Sequence, residues 1–137
     1  MELNFFNSDN IRISINKALL LKRFERIAFF ERKSVDCVNY IFVNDRTIGL
    51  YNNKYLHHNY PTDIITFDYT QFNFISGDIY ISIDTVKFNA LKFNTSFPNE
   101  LNRVIIHGLL HLMGYKDKTV SESKLMRFKE NYYLQLF

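Results

Sequence analysis

The chain has a single cysteine, Cys37, among 137 residues. An internal disulfide is therefore excluded, as is any zinc site built from several thiolates. Cys37 itself reads as a small apolar side chain rather than a redox centre. Tryptophan is absent, and only two prolines and four glycines punctuate the sequence. With no repeat, low-complexity tract or Pro/Gly/Ser-rich linker, the expectation is one domain over residues 1–137. No run comes near the ~18 apolar residues that would span a bilayer. The start, Met1-Glu2-Leu3-Asn4-Phe5-Phe6, lacks the basic residues and long apolar stretch of a secretory signal. The expected address is the cytoplasm, with no membrane partner. Charge is nearly balanced: the formal net charge of +3 permits contact with nucleic acid without demanding it.

What is abundant is apolar mass. Hydrophobic residues make up 47% of the chain and aromatics 17%, enough for a core that needs no covalent staple. Glu2 to Phe6 reads as a strand, with Ile11 and Ile13 as its continuation. Leu20, Phe24, Ile27 and Ala28 recur at helical spacing, predicting a helix from about Asn16 to Arg32. Val38 to Val43 is crowded with Tyr, Ile, Phe and Val and reads as a strand. Asp45 is a candidate cap for a helix through about Tyr55, ended before Pro61. Asp63 to Tyr69 and Asp78 to Ile83 are two more strands, joined by a turn containing Ser76-Gly77. Asp84 is a candidate cap for a helix through about Asn94. Ser96 and Pro98 open the next helix, which Gly114 ends. Thr119-x-x-Glu122 is a capping-box pattern for a last helix ending near Leu134. Strands and helices mix without strict alternation, so the expected class is α+β, one sheet with helices packed on it.

The most informative stretch is His107-Gly108-Leu109-Leu110-His111-Leu112-Met113-Gly114-Tyr115-Lys116-Asp117. Side chains four apart on a helix point almost the same way, so two imidazoles can reach one cation from adjacent turns. Ile105, Leu109, Leu112 and Met113 occupy the other side and would anchor the helix. Beyond Gly114 the chain can fold back and present Asp117. Two nitrogens and one carboxylate oxygen, with a position left for water, make a catalytic rather than a structural zinc constellation. Spacing alone leaves open a plainer arrangement, in which the histidines are satisfied by backbone carbonyls. Gly108 stands where zinc peptidases of the His-Glu-x-x-His type carry their general base, so peptide hydrolysis by that route is not expected.

These residues resemble the YbeY family of bacterial rRNA-maturation endoribonucleases, whose hallmark is His-Gly-x-Leu-His-Leu-x-Gly-Tyr-Asp-His. Residues His107 to Tyr115 match it throughout. Pro61-Thr62-Asp63-Ile64-Ile65-Thr66-Phe67 resembles the family's Pro-Thr-Asp-Val-Leu-Ser-Phe strand, and Gly77-Asp78-Ile79-Tyr80-Ile81-Ser82 its Gly-Asp-Ile-x-Ile-Ser strand. Glu100 falls where the family has an acid. The blocks span roughly residues 38 to 118. Two positions depart. Lys116 and Asp117 replace the Asp-His pair, so the third ligand would be a carboxylate, which lets manganese or iron compete better with zinc. Leu56 follows Tyr55 where the family has arginine; if that arginine steadies phosphate in relatives, this chain uses another cation, with Lys54, His57, His58 and Lys116 near in sequence, or does less catalysis.

The resemblance implies a mixed, about four-stranded sheet with flanking helices, the histidine helix lining a cleft in a zincin-like arrangement. It implies one Zn²⁺ held by His107, His111 and Asp117. It implies a single-strand-acting endoribonuclease in 16S rRNA 3′-end maturation and ribosome quality control. The partners would be rRNA and the small ribosomal subunit, with ribosomal proteins or assembly GTPases. Arg103, Lys116, Lys118 and Lys54 are candidate RNA contacts, with ordinary surface solvation as the alternative for each. Asp63 and Asp78 are candidate cleft carboxylates, though turn or capping hydrogen bonds would explain them equally. No general base is identifiable. Two rival functions remain: a ribosome assembly factor with a structural metal, and a metal hydrolase of another substrate.

Overall fold

The computed structural model describes residues 1–56 and 62–136. Among the described residues nine elements follow in order: β1 (Glu2–Asn7), α1 (Lys17–Glu31), β2 (Ser34–Val43), α2 (Asp45–Leu56), β3 (Ile64–Asp68), β4 (Phe74–Ser82), α3 (Ile83–Lys92), α4 (Phe97–Leu112) and α5 (Val120–Gln135). The four strands form one sheet in the order β1-β2-β4-β3. β1 and β4 run parallel to β2, and β3 pairs antiparallel with β4. The sheet is mixed and the class α+β, as expected.

Alternation along the strands divides the apolar residues between two faces. Val38, Tyr40, Phe42, Ile75, Ile79 and Ile81 join the main core with residues of α1, α4 and α5. Val43, Ile48 and Ile65 form a smaller cluster on the other face, beneath α2. Leu20, Phe24, Ile27 and Ala28 are the buried stripe of α1, as their spacing predicts. The Tyr40 hydroxyl donates to the Ile105 carbonyl at 2.7 Å, tying β2 to the middle of α4.

Several local expectations need correction. Ile11 and Ile13 do not extend β1, because Asp9 and Asn10 adopt positive φ and turn the chain out of the sheet; both isoleucines still pack on the core edge. Asn44, not Asp45, caps α2, its Oδ1 accepting from the Thr47 amide at 2.9 Å. Ser82, not Asp84, caps α3. The Asp45 carboxylate instead accepts from the Ser82 and Thr85 hydroxyls and joins the two helix starts.

Ser76-Gly77 is not a turn. It lies inside β4, and the chain reverses earlier, around Gln71–Phe74, with Phe72 at φ 57°. Gly77 is needed for another reason: a Cβ there would stand 2.5 Å from the Phe67 carbonyl oxygen and 2.8 Å from Leu112 Cδ2. Gly108 is its counterpart on α4, where a Cβ would meet Ile64 and Ile79 side chains at 3.0 Å. Two missing side chains let α4 lie close on the sheet.

Candidate metal centre

α4 begins at Ser96, whose hydroxyl accepts from the Asn99 amide, with Pro98 in the first turn. Its apolar side, including Ile105, Leu109, Leu112 and Met113, is buried. That packing turns His107 and His111 the other way, into a cleft of about 530 Å³. Gly114, at φ 104°, reverses the chain where a side chain would be strained. The return brings Asp117 back over the histidines.

The three residues meet. The Nε2 atoms of His107 and His111 are 2.9 Å apart, and Asp117 Oδ2 lies 3.3 Å from the first and 3.4 Å from the second. The other ring nitrogens are engaged. His111 Nδ1 lies 3.0 Å from the Tyr115 carbonyl oxygen. A carbonyl only accepts, so that nitrogen carries the proton. His107 Nδ1 lies 2.6 Å from Glu130 Oε2. Hydrogen bonding to His107 overcomes burial and keeps the Glu130 carboxyl below its ordinary range, so it too accepts. With both Nδ1 atoms protonated, two Nε2 lone pairs face one another beside a carboxylate. Only a shared proton or a cation relieves that arrangement. Tetrahedral zinc with bonds of about 2.0–2.2 Å needs ligand atoms about 3.3 Å apart, which the two oxygen distances match. The residues fit a divalent cation.

The electrostatics agree. Asp63, Glu100, Asp117 and Glu130 line the cleft against two guanidiniums, Arg103 and Arg127. Four carboxylates against two cations leave a formal excess of two negative charges. Burial lowers the pKa of His107, but Glu130, Asp117 and Asp63 outweigh it and raise the net value above 6.5. Burial and the neighbouring His107 lower that of His111. Burial raises Asp63 and Glu100 above the usual carboxylate range.

The other sequence candidates are dispersed. Asp63 lines the cleft. Asp78 does not: it alternates with Ile79 and faces away from α4, where Asn39 Nδ2 donates to it at 3.0 Å. Arg103 reaches the cleft, but its guanidinium is held by Glu130 and Asn131 at 3.1 and 3.0 Å. Lys116 and Lys118 are exposed on the loop after α4. Lys54 is exposed on α2, with Nζ 5.2 Å from the Tyr55 ring centroid. None of the three lysines lines the cleft. Leu56 ends α2, whereas His57, His58 and Pro61 lie outside the described residues.

Glu130 and Arg127 were not anticipated. Met126, Glu130 and Tyr133 are the buried residues of α5. An acid on an otherwise apolar stripe at i, i+4 and i+7 was the available signal. Arg127 Nη1 stands 3.7 Å from Glu130 with its side chain 57% exposed.

A family model described as Endoribonuclease YbeY matches residues 5–137. The chain belongs to the YbeY endoribonuclease family. YbeY relatives include one from Christiangramia forsetii, 43% identical over 99% of this chain and 94% of the relative. Another, from Flavobacterium johnsoniae, is 49% identical over 78% of this chain and 77% of the relative. The solution structure of TM1509 from Thermotoga maritima is similar at a TM-score of 0.61 and 28% identity, covering 97% of this chain and 87% of that one. The YbeY relatives thus span the sheet and the cleft alike. Among the described residues no helix is long and apolar enough to cross a membrane.

Proposed function

We propose that this protein is a metal-dependent endoribonuclease that cleaves single-stranded RNA, its physiological substrate being precursor small-subunit rRNA near the 3′ end. The observation that carries the reading is the convergence of two imidazole Nε2 atoms and the Asp117 carboxylate in a cleft, in a chain whose relatives are named endoribonucleases. The metal is one Zn²⁺ per chain, with manganese or iron competing through the harder Asp117 oxygen. The expected setting is the cytoplasm, on the small ribosomal subunit, with ribosomal proteins or assembly GTPases as further partners.

When bound, the cation supplies Lewis acidity to a phosphoryl oxygen and an acidified water. The chain's own residues do the rest. Glu130 and the Tyr115 carbonyl hold the two rings in the tautomer that directs Nε2 at the cation. Arg127, half exposed at the cleft wall, meets the RNA phosphate in place of the arginine that Leu56 replaces. Arg103, tied to Glu100 and Glu130, contributes field more than contact.

The test is incubation with a small-subunit rRNA precursor, with and without chelator, beside the His107→Ala/His111→Ala variant. Cleavage is expected only in the metal-loaded wild type. Equal cleavage in all samples would remove the metal site from catalysis. No cleavage in any sample, with RNA and metal still bound, would replace the nuclease reading with an assembly role.

A further inference from the structure

A second polar cluster, none of whose members lines the cleft, forms where α1 ends. The Glu31 carboxylate, its side chain 9% exposed, takes three donors from distant parts of the chain. The Tyr115 hydroxyl donates to Oε1 at 2.5 Å. The Tyr133 hydroxyl and Lys129 Nζ, both on α5, donate to Oε2, the lysine at 3.0 Å. Burial raises the carboxyl, but these three donors outweigh it and hold it below its ordinary value. Burial and the Glu31 charge push both tyrosines upward, so they stay protonated as donors. Lys129 and Tyr133 join the cluster to α5, and the hydroxyl of Tyr115 ties it to the loop that carries Asp117.

Tyr115 sits between the two halves of the ligand set. Its carbonyl fixes the His111 ring, and Asp117 follows two residues later. The loop around it contains Gly114, which has nothing within 4 Å of where a Cβ would be. The turn itself is closed by backbone bonds of Met113 N to Leu109 O and Leu110 O, each 3.1 Å, and of Gly114 N to His111 O and Tyr115 N to Leu110 O, each 3.0 Å. From Lys116 to Lys118 the described residues show no backbone–backbone hydrogen bond, so the position of Asp117 leans on Tyr115, whose ring packs on the core and whose hydroxyl meets Glu31.

We propose that Glu31 and Tyr115 form a positioning tether for the metal site: the carboxylate pins the tyrosine ring, and the pinned tyrosine sets His111 and Asp117 for the cation. This rests on the metal reading of the site and adds to it the residues outside the cleft that determine affinity. Outer partners of this kind are worth about 10–100-fold in metal affinity elsewhere. Tyr133 shares the carboxylate but not the loop, so it separates positioning from mere stability.

The experiment is Zn²⁺ affinity by competition with a chromogenic chelator, together with thermal unfolding of the metal-free protein. The samples are wild type, Tyr115→Phe, Glu31→Gln, the double variant and Tyr133→Phe. Tyr115→Phe and Glu31→Gln should each weaken Zn²⁺ about tenfold, and the double variant no more than either alone. Tyr133→Phe should lower the unfolding temperature while keeping affinity within about twofold of wild type. Unchanged affinity in Tyr115→Phe and Glu31→Gln, or losses that multiply in the double variant, would overturn the tether. A wild type that binds no Zn²⁺ would instead overturn the metal site beneath it.

Discussion

On its sheet side, α4 is held by apolar contact so close that two positions facing the contact are glycine. On its cleft side, the same helix carries Arg103, His107 and His111, each engaged in polar interactions with α5 or the following loop, and Glu100, which pairs with Arg103 one turn along. Packing is non-directional and decides where the helix lies. Hydrogen bonds decide which nitrogen of each ring faces the cleft and what it can hold. A change on the first side should therefore cost stability, and a change on the second should cost metal affinity.

The largest expected effect on stability is on the sheet side. Gly77→Ala would gain about 0.5 kcal/mol from reduced unfolded-chain freedom. It also drives a Cβ to within 2.5 Å of the Phe67 carbonyl oxygen, and backbone cannot step aside as a flexible side chain can. Overpacking of this kind costs about 1–3 kcal/mol, so the net result is destabilisation, measurable by urea unfolding. A neutral or stabilised variant would show that α4 is less closely seated than described.

On the cleft side, Glu130→Gln keeps the shape of the side chain but removes the charge that the His107 ring meets at 2.6 Å. Zn²⁺ affinity should fall about 10–100-fold, measured by chelator competition. The buried carboxylate also neutralises Arg103, so some loss of stability accompanies it. An unfolding shift with unchanged affinity would erase the distinction between the two sides.

The smallest effect concerns pH. Glu31 titrates below its ordinary 4.5 in the folded chain. Its contribution is present above the unfolded value and is lost as pH falls through the lower folded one. The unfolding temperature of the wild type should thus fall more steeply than that of Glu31→Gln between about pH 5 and about pH 3. Parallel profiles would mean that the carboxylate adds no net stability.

The elements whose signals are local were legible in the residues. The α4 stripe, its Ser96 cap and the Thr119–Glu122 capping box depend on neighbours within a turn or two, and each formed as read. The grouping of His107, His111 and Asp117 was legible because the ligands come from one helix and the loop after it. What stayed hidden depends on contacts distant in sequence. Gly77 reads as a turn until Leu112 is known to press on it. Glu130 is thirteen residues beyond Asp117, and no spacing rule joins a residue on α5 to a ring on α4. Glu31 is farther still, 84 positions from the Tyr115 it binds. Asp78 was misread although its alternation with Ile79 and Ile81 was visible, because its place in a family-like block outweighed the parity of the strand.

The central claim is that His107, His111 and Asp117 hold one cation between them. Anomalous X-ray scattering from crystals grown with stoichiometric Zn²⁺ tests it most directly. The account predicts one strong peak within bonding distance of His107 Nε2, His111 Nε2 and an Asp117 carboxylate oxygen. A metal bound elsewhere, or no peak in the cleft while the protein carries one zinc per chain in solution, would contradict it.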